Sequence, residues 1–183
     1  MRRLLLAGIV VLLAGCADDG AAIRTLTDGG SAVGSGSAGG SVAGSGSVPA
    51  DCEPVGDPAS ADTTVATTLD EWSITAEPDE VPAGTITFDV TNAGAEPHEL
   101  VVVRAANPAD LPVANGAVDE ATLPDGTLIG EVEGFPGGET CSGTFELTAG
   151  GYVLFCTIVE TEADGSIESH FEEGMVREFT VSS

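Results

Sequence analysis

Hydrophobic and polar residues alternate in short stretches from about residue 63 to the end of the chain. The alternation is clearest at residues 85–91, where Ile86, Phe88 and Val90 face one way and Thr or Asp occupies the positions between them. A period of two is typical of a strand with one buried face. Similar patterns predict seven more strands, at residues 65–69, 72–74, 99–104, 127–132, 140–147, 152–157 and 177–181.

Turn-forming residues separate these segments. Glycine combined with Pro, Asn or Asp, or with a second glycine, occurs at 82–84, 92–94, 124–126, 136–138 and 149–151. Many short strands between regular turns are typical of a Greek-key β-sandwich. Residues 63–183 are therefore predicted to form one all-β domain. Residues 107–123 fit the pattern less well and predict a crossover that contains a short helix. Two prolines and the helix-averse pair Asn115-Gly116 limit the length of that helix.

The amino terminus predicts an exported protein. Arg2 and Arg3 precede a short apolar run at 4–13, which is too short to span a bilayer, so residues 1–15 are interpreted as a signal peptide. The sequence Leu-Ala-Gly-Cys16 resembles a bacterial lipobox. This resemblance implies cleavage before Cys16 and attachment of lipid to its thiol, on the outer face of the cytoplasmic membrane. The alternative is an ordinary secretory signal followed by an incidental cysteine.

A flexible linker is predicted between the lipidated cysteine and the domain, at residues 16–62. Residues 29–48 consist almost entirely of Gly, Ser, Ala and Val, a composition that cannot bury a core. About 34 residues of such a chain have a typical end-to-end distance of roughly 30–35 Å. The linker would let a membrane-anchored domain reach a partner.

The net charge limits the choice of partners. The chain carries 30 acidic and 5 basic residues, for a net charge of −25, and it has no lysine. Its field repels nucleic acid and anionic lipid surfaces, and it favours cations and basic proteins. For the charge as a whole, the preferred interpretation is a role in solubility, or the effect of a salty habitat or a GC-rich genome.

Four residues form a candidate metal-ligand set. His98 and His170 are the only histidines, and Met175 is the only methionine besides Met1. Cys156 ends a predicted strand between the two histidines. Two imidazoles, one thiolate and one thioether are the ligands of a type 1, or blue, copper site. One type 1 copper ion is therefore predicted, in preference to zinc, which gains little from a thioether.

The pairing of the other cysteines decides whether Cys156 is free to bind a metal. In an exported protein, Cys52 and Cys141 are expected to pair as a disulfide. Cys156 would then be left for a metal. The competing assignment is a Cys141–Cys156 bridge, which would remove the thiolate from the candidate site.

The domain resembles the cupredoxin family in the segments 81–92, 97–98, 152–156 and 170–175. The order His, Cys, His, Met is that of the family. The resemblance implies that His98, Cys156 and His170 are strong ligands and that Met175 is a long axial one. It also implies the Greek-key sandwich that the strand pattern predicts.

Two features depart from this family. Residues 157–169 intervene between Cys156 and His170, where relatives have only a few residues, and they are predicted to form a hairpin around Asp164-Gly165. Such a hairpin would return His170 to Cys156. Glu99 follows His98 where several relatives have Asn, and it is expected to alter the hydrogen bonds that orient the ligands.

The function predicted from these residues is one-electron transfer without catalysis. A Ser-His-Asp triad cannot be built because both histidines are already assigned, and no phosphate-binding loop follows a strand. A monomer with a redox partner protein is expected. That partner would be basic if the acidic hairpin, with Glu160, Glu162, Asp164 and Glu168, steers docking. Two alternatives are a copper delivery or storage protein and a metal-free interaction domain.

Overall fold

The computed structural model describes residues 52–183. The predicted signal peptide, Cys16 and most of the predicted linker lie outside these residues. Within them, no helix is long and apolar enough to cross a bilayer.

The described chain is built mainly of strands, with one short helix, α1 (His170–Glu173). The strands are β1 (Thr63–Asp70), β2 (Ser73–Glu77), β3 (Glu80–Pro82), β4 (Gly84–Asn92), β5 (His98–Val103), β6 (Val113–Ala114), β7 (Ala117–Val118), β8 (Leu128–Phe135), β9 (Thr140–Leu147), β10 (Gly150–Phe155), β11 (Val159–Thr161), β12 (Ile167–Ser169) and β13 (Val176–Ser182).

Two mixed sheets carry the fold. One has the strand order β2-β1-β4-β9 and the other has the order β3-β13-β10-β5-β8. Strands β1 and β4 pair in parallel, as do β3 and β13, and the remaining pairs in these two sheets are antiparallel. The predicted all-β sandwich is confirmed.

Apolar side chains from both sheets form the main core. Phe88 on β4 and Phe179 on β13 are both fully buried, and their ring centroids lie 5.4 Å apart. Burying an aromatic side chain of this kind stabilises a fold by about 1.5–3 kcal/mol. Cys156 and Met175 belong to the same cluster. Two of the four candidate metal ligands are therefore part of the core.

The crossover at residues 107–123 contains no α-helix. Instead, two single 3-10 turns, Pro108–Asp110 and Glu120–Thr122, flank the small hairpin β6–β7. Asn115 and Gly116 form the turn of this hairpin with φ angles of 54° and 86°. Positive φ at both central residues is typical of the tight hairpin turn that Asn-Gly favours. The same two residues that limit a helix here form a hairpin instead.

The segment before β1 is attached to the edge of the first sheet. Cys52 and Cys141 are joined in a disulfide, with a Cα–Cα distance of 5.6 Å. Val55 donates its backbone N–H to Ser142 and accepts one from Thr144, at 2.9 and 2.8 Å. Residues 52–55 therefore lie alongside β9. The disulfide leaves Cys156 as the free cysteine among the described residues.

Candidate metal centre

Three of the predicted ligands converge at one end of the sandwich. His98 begins β5, Cys156 directly follows β10, and His170 begins α1. The Nδ1 atoms of the two imidazoles lie 3.1 Å apart, and Cys156 Sγ lies 3.4 Å from His170 Nδ1. The ligand atoms of all three residues lie within 4.8 Å of one another, and all three side chains are fully buried.

Met175 is fixed to the same group through its backbone. It donates its N–H to the carbonyl of His170 at 2.9 Å, and its own carbonyl accepts from the N–H of Cys156 at 3.1 Å. Its side chain is fully buried in the core that contains Cys156. The candidate axial ligand is thus tied directly to two of the strong ones.

The turn that carries His170 is stabilised at both ends. At its start, Ser169 Oγ accepts from the N–H of Glu172 at 3.0 Å, which is the usual N-cap contact. At its end, Gly174 has a φ of 125° and donates its N–H to Phe171. This conformation favours glycine, and it lets the chain return from the helix to Met175.

The 157–169 insertion forms the predicted hairpin. Strands β11 and β12 are antiparallel, with Val159 opposite Ser169. Gly165, with a φ of 88°, lies in the turn between them. The N–H of His170 donates to the carbonyl of Ile158 at 3.1 Å, which closes the base of the hairpin. The long insertion therefore returns the second histidine to the cysteine.

A buried asparagine organises the loop before His98. Asn92 donates from Nδ2 to the carbonyls of Glu96 and Phe135, at 2.8 and 3.0 Å. Its Oδ1 accepts from the N–H of Gly94 at 3.0 Å. Both the oxygen and the nitrogen of this amide thus have backbone partners, and the side chain holds the loop against β8.

Glu71, in the turn between β1 and β2, supports the same loop from the other side. Its Oε1 accepts from the N–H groups of Ala95 and Glu96, at 2.6 and 3.0 Å. These backbone donors lower the pKa of Glu71 to about 2, so the carboxylate is ionised at neutral pH. The same oxygen lies 3.7 Å from His98 Nε2. A negative charge there favours a proton on Nε2, which leaves the Nδ1 lone pair for a metal.

Trp72 covers both histidines. Its ring centroid lies 5.1 Å from that of His170 and 6.5 Å from that of His98, with edge-to-face geometry in both cases. Trp72 is partly exposed, whereas both imidazoles are fully buried. The indole therefore separates the histidine rings from water.

Glu99 links the strand of His98 to the segment that follows Cys156. Its Oε1 accepts from the N–H of Thr157 at 2.8 Å. Burial raises the pKa of Glu99 to about 7, although this hydrogen bond opposes the shift. Glu99 thus joins the two ligand-bearing segments.

The ionisation of the ligands suits a metal cation. Burial lowers the pKa of His98, and it lowers that of His170 to about 4, so both imidazoles are neutral and have lone pairs available. Burial, together with the nearby Glu99, raises the pKa of the Cys156 thiol. A bound cation reverses this effect, because coordination deprotonates a thiol. The donor set fits copper, for which soft sulfur and imidazole ligands are well suited.

Glu71, Trp72 and Asn92 were not predicted as parts of this site. Trp72 is the only tryptophan of the chain, which could have singled it out. Asn92 lies in a turn that the sequence already marked. For Glu71, no local signal exists, because its role depends on contacts with residues 24 and 25 positions away.

Several solved structures are similar to this chain. Auracyanin B is 22% identical, with a TM-score of 0.51, over 67% of this chain and 90% of that one. Auracyanin from Roseiflexus castenholzii is 23% identical, with a TM-score of 0.49, over 68% and 99%. Rusticyanin from Thiobacillus ferrooxidans is 20% identical, with a TM-score of 0.43, over 67% and 79%. No family model and no curated protein sequence matches the chain.

The likeness to auracyanin B identifies the fold. The described residues adopt the cupredoxin fold, a β-sandwich. At this level of identity, the comparison speaks for the fold, and the chemistry of the site depends on the residues described above.

Proposed function

We propose that this protein binds one copper ion through His98, Cys156, His170 and Met175 and acts as a one-electron carrier. The observation that carries the proposal is the convergence of the three strong donors in a buried group within 4.8 Å. Bound copper would supply reversible one-electron chemistry.

The protein contributes a fixed and dry environment. Backbone hydrogen bonds join Met175 to His170 and Cys156, and Glu99 joins the strand of His98 to the segment after Cys156. Ligands fixed in this way move little when the charge at the site changes. Trp72 and the core exclude water, which sets the local dielectric and thereby the reduction potential.

Burial also favours electron transfer over catalysis or rapid metal exchange. Since the ligands are fully buried, a substrate in solution does not reach them, and neither does a metal acceptor without local opening. Electrons can pass through the covering side chains. This distinguishes a carrier from a delivery protein, for which fast exchange is expected.

The location is part of the same proposal. The lipobox-like sequence and the Gly/Ser-rich segment support export, lipid attachment at Cys16 and a tether to the outer face of the bacterial cytoplasmic membrane. A net charge of −25 favours a basic redox partner, which the acidic surface would steer. The domain would act as a monomer.

A visible spectrum of the Cu(II)-loaded protein tests the copper site. An intense thiolate charge-transfer band is expected with one copper per chain. Cys156→Ser should abolish this band, whereas Met175→Leu should keep it and change the reduction potential, because the axial ligand tunes the site without holding the metal.

The opposing result is a colourless protein whose Cys156 thiol is still titratable in excess copper. That outcome would favour the metal-free interaction domain. If the band forms but copper leaves within seconds to a chelator, the delivery protein becomes the better interpretation.

A further inference from the structure

A second cluster of ligating groups lies on the other side of the His170 ring. The carboxylates of Glu96, Glu160 and Glu168 each place an oxygen within 4.8 Å of the others and of a His170 nitrogen. The Nδ1 atom of His170 faces His98 and Cys156. Its Nε2 atom lies 3.9 Å from Glu96 Oε2. One imidazole therefore borders two groups of donors.

The hairpin insertion brings two of these carboxylates together. Glu160 on β11 lies directly opposite Glu168 on β12. Like charges at directly opposite positions destabilise an antiparallel pair. In the part of the chain that the structure describes, neither arginine forms an ion pair with the cluster. The third carboxylate, Glu96, comes from the separate loop before His98.

Several atoms of the cluster have no partner. Glu96 Oε2, Glu168 Oε1 and His170 Nε2 are buried atoms without a hydrogen bond among the described residues. His170 itself is fully buried. Native proteins satisfy nearly all such atoms, so each one needs an explanation.

We propose that Glu96, Glu160, Glu168 and Nε2 of His170 form a second metal site that takes a divalent transition cation. Carboxylate oxygens suit Mn²⁺, and a set of carboxylates with one imidazole also suits Zn²⁺. In the copper-free protein, the His170 tautomer that carries its proton on Nδ1, 3.1 Å from His98 Nδ1, leaves a lone pair at Nε2 for the ion. With copper on Nδ1, the ring would hold both ions only as an imidazolate, after its remaining proton passes to solvent.

This site gives the insertion a role beyond the proposed electron transfer. A bound cation would neutralise the facing glutamates and crosslink the hairpin to the loop that delivers His98. It would thereby connect the two segments that hold the histidines. The site draws its oxygens from outside the proposed copper ligands, and only the His170 ring is common to both.

Binding of Mn²⁺ to the copper-free full-length protein tests the proposal. Mn²⁺ suits carboxylate better than thiolate ligands, so it is a selective probe, and the solution EPR signal reports the unbound ion. One Mn²⁺ per chain is expected at the specific site. The affinity should fall at least tenfold in Glu160→Gln/Glu168→Gln and severalfold in Glu96→Gln.

The matched control removes two charges from exposed positions on other strands, in Glu77→Gln/Glu178→Gln. It should bind Mn²⁺ as the wild type does. An equal loss in the control would mean that only the general negative field attracts the ion, and unchanged binding in the cluster variants would also refute the site. Circular dichroism shows whether the double hairpin variant is folded. If it is unfolded, the Mn²⁺ affinity of Glu96→Gln tests the site instead, because this variant leaves the hairpin sequence intact. Copper is absent throughout, so this test can fail or succeed independently of the copper spectrum.

Discussion

Removing the disulfide between Cys52 and Cys141 should destabilise the metal-free domain by several kcal/mol. The bridge closes a loop with a sequence separation of 89 residues. In the chain-entropy description, this lowers the entropy of the unfolded chain by about 15 cal/mol/K, or about 4.6 kcal/mol at 25 °C. That figure is an upper value, because strain in the native state reduces the benefit. Cys141 is also buried, so its truncation adds a small packing loss in a Cys52→Ala/Cys141→Ala variant.

Urea unfolding of copper-free protein measures this effect without a contribution from metal binding. With a denaturant slope of about 2 kcal/mol/M, the midpoint should fall by about 2 M. Hydrogen exchange offers a local readout, since the Thr144 N–H that bonds to Val55 should lose protection. Wild-type protein with its thiols reduced controls for truncation of the side chains. A shift below about 0.5 M in both samples, at unchanged slope, would contradict the entropic argument.

Three further predictions concern the metal site and its surroundings. Cu(II) should quench the fluorescence of Trp72, whose ring lies 5.1 Å from that of His170, whereas Zn²⁺ should not; unchanged emission at full copper loading would place copper elsewhere. His170→Gly should lose or alter the charge-transfer band, and added imidazole should restore it; an unaltered spectrum would mean that His170 is not a ligand. The pKa of Glu131 is raised to about 7 by burial and then by Glu120 and Glu133, so the folded state binds its proton more tightly than the unfolded state. The free energy of unfolding should therefore fall as pH rises from about 4.5 to about 7, and Glu131→Gln should flatten this part of the urea-midpoint profile; an identical slope in the variant would assign the loss to other groups.

The strands could be predicted because they follow a local alternation of apolar and polar residues. The convergence of the candidate ligands could be predicted because the chain has only two histidines and two methionines to offer. The alternation of Ile86, Phe88 and Val90 places all three in the core, as expected. Thr87 was assigned to the outer face, yet it is buried. Its hydroxyl pairs with that of Thr144 on the neighbouring strand at 2.7 Å, and such a cross-strand partner has no local signal.

The surroundings of the ligands could not be predicted because they depend on long-range contacts. Trp72 reaches the site from the β1–β2 turn, far in sequence from His170. In the crossover, Asn115-Gly116 was interpreted only as unfavourable for a helix. Its positive φ angles instead favour a tight hairpin turn. If the same dipeptide had been interpreted as a turn between two short strands, the hairpin would have been predicted.

The closed base of the β11–β12 hairpin has a consequence for how this protein can vary. The chain is tied on both sides of the insertion, by the bond from His170 to Ile158 and by the bond from Cys156 to Met175. Residues of the tip, beyond the bond from Glu162 to Ser166, can change in number without altering the spacing of the candidate ligands, and loop length adds only about 0.6 kcal/mol per doubling. The tip at Gly165 is thus a natural point for grafting a foreign peptide, and related chains can differ there in length while keeping that spacing.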